Sequence, residues 1–119
     1  MIELILPLAP TVNSYQPHTV RNGKAVRYFS DNAKKFKAHV KMMVKKLNAN
    51  LKLSGRISME IEIQPRDKRN QDIDNRIKPT LDALQEADVY LDDSQIDELV
   101  VRRGKVKKGG LMIVKLREI

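Results

Sequence analysis

The sequence contains no cysteine, which excludes both disulfide cross-links and thiolate metal sites. That suits a reducing cytoplasm, the expected location. No apolar stretch approaches the ~20 residues that a membrane-spanning helix requires, so no membrane role is expected. The opening run Met1–Pro7 is too short for a secretory leader and carries Glu3 within it. Histidine is scarce: His18 and His39 are the only two, and neither has a partner at metal-ligand spacing. Phosphate-cradling loops of the G-x-x-x-x-G-K-[ST] or G-x-G-x-x-G type are missing, as is a G-x-S-x-G nucleophile elbow. Repeats, linkers and low-complexity tracts are absent too.

What the chain does have is charge, unevenly placed. Its 119 residues carry a formal net charge of +8, and the isoelectric point near 9.8 points to a polyanionic partner. Residues 31–50 hold six lysines against one acid, and 101–119 hold seven bases against one acid. Between them, residues 82–98 hold seven acids and no base. Acids repel phosphate, so an acidic pocket inside a basic protein is hard to reconcile with DNA binding alone. A bound divalent cation reconciles the two.

The length and the 41% apolar content fit one compact domain over residues 1–119. Ile2–Leu6 reads as a strand ended by Pro7 and Pro10. Thr11 to Lys24 reads as a loop, with Asn22-Gly23 turning into a short strand at Ala25–Phe29. Ser30 or Asp31 caps a helix whose apolar stripe is Ala33, Phe36, Val40, Met43, Val44 and Leu47. Lys34, Lys37, Lys41 and Lys45 form its outer stripe, most simply a solvated face. Ile57, Met59, Ile61 and Ile63 alternate with polar residues, as in a strand with one buried face. A second helix is expected over Asn75–Ala87, with Ile77, Leu81 and Leu84 buried and its first turn distorted by Pro79. Strands over Ile96–Val106 and Leu111–Ile119, joined at Lys108-Gly109-Gly110, complete an α+β domain. It should be a mixed sheet with two main helices packed on it.

The sharpest chemical feature is Asp72-Ile73-Asp74-Asn75. Two aspartates two residues apart on an extended strand exit would project to one side and repel unless a cation compensates. A second pair, Asp92-Asp93, follows the expected helix, and the chain can turn back after Asp88 to bring the pairs together. Converging carboxylates among bases suit metal-assisted phosphodiester hydrolysis. The alternative is local: Asp74 caps the second helix, and Asp93 caps a turn at Ser94. Lys78, one helical turn after Asp74, either pairs with Asp74 or Asp82 or holds the scissile phosphate.

The run from Arg66 through Asp72-Ile73-Asp74-Asn75 to Lys78 and Asp82-Ala83-Leu84 resembles the motif of the RusA family. Tyr90-Leu91-Asp92-Asp93-Ser94-Gln95-Ile96 is similar to that family's second motif, and Pro7, Pro10 and Asn13-Ser14-Tyr15 to its opening loop. The family comprises Holliday junction resolvases, often carried by phages and prophages. The resemblance implies a homodimer that needs Mg²⁺, with Mn²⁺ as a substitute, and nicks four-way DNA junctions in pairs. It implies metal ligands at Asp72, Asp74 and Asp93, a catalytic lysine at Lys78, and DNA contacts from Asn13, Ser14, Arg69, Asn75, Arg76 and Lys78. Asp92 is left without a role. Arg76 and Pro79 depart from the best-known member, which has uncharged, non-proline residues there. The competing reading is a non-catalytic, basic nucleic-acid-binding protein.

Overall fold

A computed structural model describes residues 1–12 and 30–119, together with the backbone of two short strands between them, 18–21 and 24–27. The chain runs β1 (Ile2–Leu6), β2 (His18–Arg21), β3 (Lys24–Arg27), α1 (Asp31–Lys46), β4 (Ile57–Gln64), α2 (Ile77–Glu86), a 3₁₀ turn (Asp93–Gln95), β5 (Ile96–Arg103) and β6 (Leu111–Glu118). Four strands form one sheet in the order β1-β6-β4-β5, while β2 and β3 pair separately. The sheet is mixed, with β4 parallel to β5 and antiparallel to β6. The fold is α+β. Among the described residues there is one strand more than the sequence pattern indicates, because β2 lies within the stretch expected to be loop. The Asn22-Gly23 turn lies outside the described residues.

One face of the sheet makes the core. Ile57, Met59, Ile61 and Ile63 of β4 are buried beside Met112, Val114 and Leu116 of β6 and Leu4 and Leu6 of β1. Such period-2 burial fixes the strand register, since a one-residue slip would turn the apolar set to solvent. Helix α1 lays Ala33, Phe36, Val40 and Val44 on this face. Ser30 starts it, its hydroxyl accepting the Ala33 N–H at 3.1 Å. Leu47 is exposed, not buried as its spacing suggests, because the helix ends at Lys46 and Leu47 is the C-cap.

Helix α2 starts at Ile77, two residues later than expected. Pro79 therefore falls at its third position, where an N–H has no intrahelical acceptor, and the helix runs unbroken to Glu86. The irregular turn precedes the proline instead of containing it. The buried face of α2 is Thr80, Ala83 and Leu84, with Ile77 and Leu81 partly covered at its edge. This helix is the crossover between the parallel strands β4 and β5, so residues flanking it are delivered to one end of the sheet.

Candidate active site

After Gln64 the chain has no regular structure through Asp72, and residues 73–76 form a turn. The Asn75 N–H donates to the Asp72 carbonyl at 3.4 Å and the Ile77 N–H to the Asp74 carbonyl at 3.2 Å. This corrects the expectation that Asp72 and Asp74 project from an extended strand exit. A turn that leads into α2 carries them instead, and both side chains are exposed. The Val12 N–H donates to the Asn75 carbonyl at 2.9 Å, which pins the start of the opening loop to this turn. Asn13 and Ser14 lie outside the described residues.

Lys78 stands in the first turn of α2, and its ammonium joins two elements. It lies 2.8 Å from Oδ1 of Asp82, one helical turn on, and 2.9 Å from Oδ2 of Asp93 in the 3₁₀ turn. Pairing with Asp82 and then with Asp93 raises the pKa of Lys78, so it stays an ammonium throughout the working range. Three carboxylates, Asp93, Asp82 and Asp92, act on the phenol of Tyr90, whose pKa is raised chiefly by burial. Tyr90 is buried, and its hydroxyl donates to the Leu81 carbonyl at 2.7 Å, folding the chain after α2 back against the helix. That return brings Asp93 to Lys78.

The second acidic pair divides its work. Asp92 is the cap of the 3₁₀ turn: its carboxylate accepts the N–H and the hydroxyl of Ser94. Hydrogen bonding to Ser94 holds the Asp92 pKa below the ordinary range. Asp93 is not the cap, and its carboxylate is left to meet Lys78, while its N–H donates to Oε1 of Gln85 at 2.9 Å. Gln95 completes the frame from a buried position. It accepts from the N–H groups of Leu91 and Asp92 and donates to the carbonyls of Leu53 and Gly55. The helix-capping role considered for Asp74 fails as well, because Arg76 is the N-cap of α2 and no side chain caps it.

Among the described residues no three acidic or histidine side chains form a ready-made metal cage. Asp82 and Asp93 converge on one cation, the Lys78 ammonium, while Asp72 and Asp74 stand on the preceding turn. The donor chemistry nevertheless fits a hard divalent ion. All the donors are carboxylate oxygens, and magnesium takes only one or two carboxylates directly and fills its octahedron with water and phosphate.

The structure treats the other sequence candidates unequally. Arg69 is exposed and held by Asp67, with its Nη2 2.8 Å from Oδ2. Arg76, also expected to contact DNA, is buried. Its guanidinium donates to the Ala9 carbonyl and, at 3.2 Å, to Oε1 of Gln71.

A family model described as endodeoxyribonuclease RusA matches residues 7–116. The chain belongs to the RusA family. It is an endodeoxyribonuclease, which decides against the non-catalytic binding reading. The crossover junction endodeoxyribonuclease RusA of Enterobacteria phage HK97 is 29% identical over 117 residues, covering 98% of this chain and 94% of that one. The protein of the same name in Escherichia coli K12 is 28% identical over 116 residues, covering 98% and 93%. The RusA of Enterobacteria phage 82 is likewise 28% identical over the same span. In this RusA-family chain the structure adds Gln85 and Gln95 to the site, and it pairs Lys78 with Asp82, one of the two partners its spacing suggested. The signal for Gln95 is the D-x-x-Q capping box at Asp92 to Gln95, and Gln85 has none.

Proposed function

We propose that this protein resolves four-way DNA junctions, as a homodimer that introduces paired symmetric nicks, and that it does so with Mg²⁺ in recombination and repair. The observation that carries the reading is Lys78 held between Asp82 and Asp93 beside the exposed Asp72-Asp74 turn, in a chain whose relatives are named crossover junction endodeoxyribonucleases. Asp72, Asp74 and Asp93 would hold Mg²⁺, which when bound supplies an activated water and neutralises charge on the reacting phosphate. Lys78 presents a permanent positive charge whose grip on a phosphate oxygen strengthens as negative charge develops there. Asp82 positions that ammonium from within the helix, and the 3₁₀ turn positions Asp93. A four-way junction has approximate two-fold symmetry, so a C2 dimer sets one such site at each of two opposed strands. Contacts to phosphates would select the junction by shape, and sequence preference would arise at cleavage.

The test is incubation with a synthetic mobile four-way junction, with Mg²⁺ and with chelator. Symmetric nicks in opposed strands, seen only with the ion, are expected. Firm binding without nicking under either condition would overturn the proposal, whereas equal cutting of flaps and single strands would leave a nuclease without junction selectivity.

A further inference from the structure

Beside the acidic turn, on the side facing α1, lies an open cleft of about 470 Å³. Lys35 and His39 border it from α1, Arg66 from the segment after β4, and Arg76 from the turn before α2. No aspartate or glutamate of the described residues lines it. Residues 13–29 cannot supply one, since that stretch contains neither acid.

Arg76 is the unusual member. Its residue surface is only 7% exposed, yet its hydrogen-bond acceptors are neutral, the Ala9 carbonyl and the Gln71 amide. Asp67 and Asp72 line a second groove that Arg76 also borders, but no ion pair among the described residues involves Arg76. Asp67 is already engaged by Arg69. Burial and the like charge of Arg66 both press against the charged form of Arg76. A buried cation without a counter-ion is costly, and the cost is relieved by an anion brought to it.

We propose that this cleft binds a backbone phosphate of the DNA substrate, away from the one being cut, through Arg76, Arg66, Lys35 and His39. Arg76 lies between Asn75 and Lys78 in sequence, so a phosphate held there sets the strand relative to the acidic turn and the catalytic lysine. Guanidinium groups suit this task because their planar forks match phosphate oxygens. The inference rests on the junction-nuclease reading. Nicking of the junction by the unaltered protein tests that reading, and the measurements below test the cleft.

Lys35 and Arg66 are exposed, so Lys35→Gln/Arg66→Gln leaves the fold intact, as circular dichroism would verify. Junction affinity, measured in Ca²⁺ to block cutting, should fall at least ~10-fold, and the slope of log affinity against log salt should flatten by about one to two. Lys45→Gln/Lys46→Gln, at the far end of α1, removes the same charge outside the cleft and should cost clearly less. The second probe is inorganic phosphate. At equal ionic strength, phosphate should raise the melting temperature of the unaltered protein above its value in chloride, and the double variant should lose that increment. Equal affinities and slopes for the two double variants would overturn the proposal. A phosphate-dependent rise in melting temperature with unchanged junction affinity would also overturn it, by making the cleft a site for free phosphate.

Discussion

The ammonium of Lys78 sits 2.9 Å from Oδ2 of Asp93, fifteen residues later in the chain, and this bond ties the first turn of α2 to the 3₁₀ turn beyond it. Asp82 meets the same ammonium from one helical turn on, at 2.8 Å. The pairing is solvent-facing, with the lysine side chain 61% exposed. Exposed ion pairs contribute roughly 0–1 kcal/mol, so stability does not explain why three charges are gathered here.

Lys78→Met should therefore cost less than about 1 kcal/mol in urea unfolding. It should slow single-turnover cutting of a pre-bound junction by ~100-fold or more, the typical loss for a group that stabilises transition-state charge. Lys78→Arg keeps the charge but changes its reach and shape, and should recover only part of the rate. Cutting by Lys78→Met at the unaltered rate would make the lysine structural.

Asp72→Asn, Asp74→Asn and Asp93→Asn should each abolish cutting, because each removes a proposed metal ligand. Junction binding should be unchanged or tighter, since a carboxylate that repels phosphate has also gone. Parallel gel-shift and nicking assays separate the two effects. A variant that nicks normally would lose its assignment.

The pH dependence follows from the sign of the Lys78 shift. Its pKa is raised above the ordinary 10.5, first by Asp82 and then by Asp93. The charged form is thus fully present below the ordinary value and is lost only as pH rises through the raised one. No alkaline fall in rate below about pH 10 should come from Lys78. Asp82→Asn removes the largest cause, so any alkaline limb should move to lower pH than in the unaltered protein. A pH–rate profile of single-turnover cutting reads this directly, and an unmoved limb would show that Asp82 does not act through Lys78.

Gln95 offers a structural test. Replacing it by leucine leaves the Asp92 N–H and the Gly55 carbonyl without their partners, while the Leu91 N–H keeps the Leu53 carbonyl at 3.2 Å. Each buried unsatisfied group costs ~1–3 kcal/mol, and water reaching some of them brings the expected loss to about 3 kcal/mol in urea unfolding. Gln95→Glu can still accept from Leu91 and Asp92 but sets a carboxylate against two carbonyls, so it should rescue little. A loss below about 1 kcal/mol for Gln95→Leu would show that the turn holds Asp93 without this frame.

Local chemistry made much of this protein legible in its sequence. The alternation from Ile57 to Ile63 and the stripe of Ala33, Phe36, Val40 and Val44 state their own periods, because side-chain direction in a strand or helix depends only on nearby backbone. The family motifs around Asp72, Lys78 and Asp92-Asp93 are likewise contiguous. Relations between distant residues were not legible. That Lys78 pairs with Asp93, that Asp92 caps so that Asp93 need not, and that Arg76 turns inward to Ala9 and Gln71 all depend on how α2 packs and where Tyr90 anchors the returning chain. A sequence fixes the charge each residue carries. Only packing decides which charges share a surface and which are buried, because desolvation and pairing act through space and not along the chain.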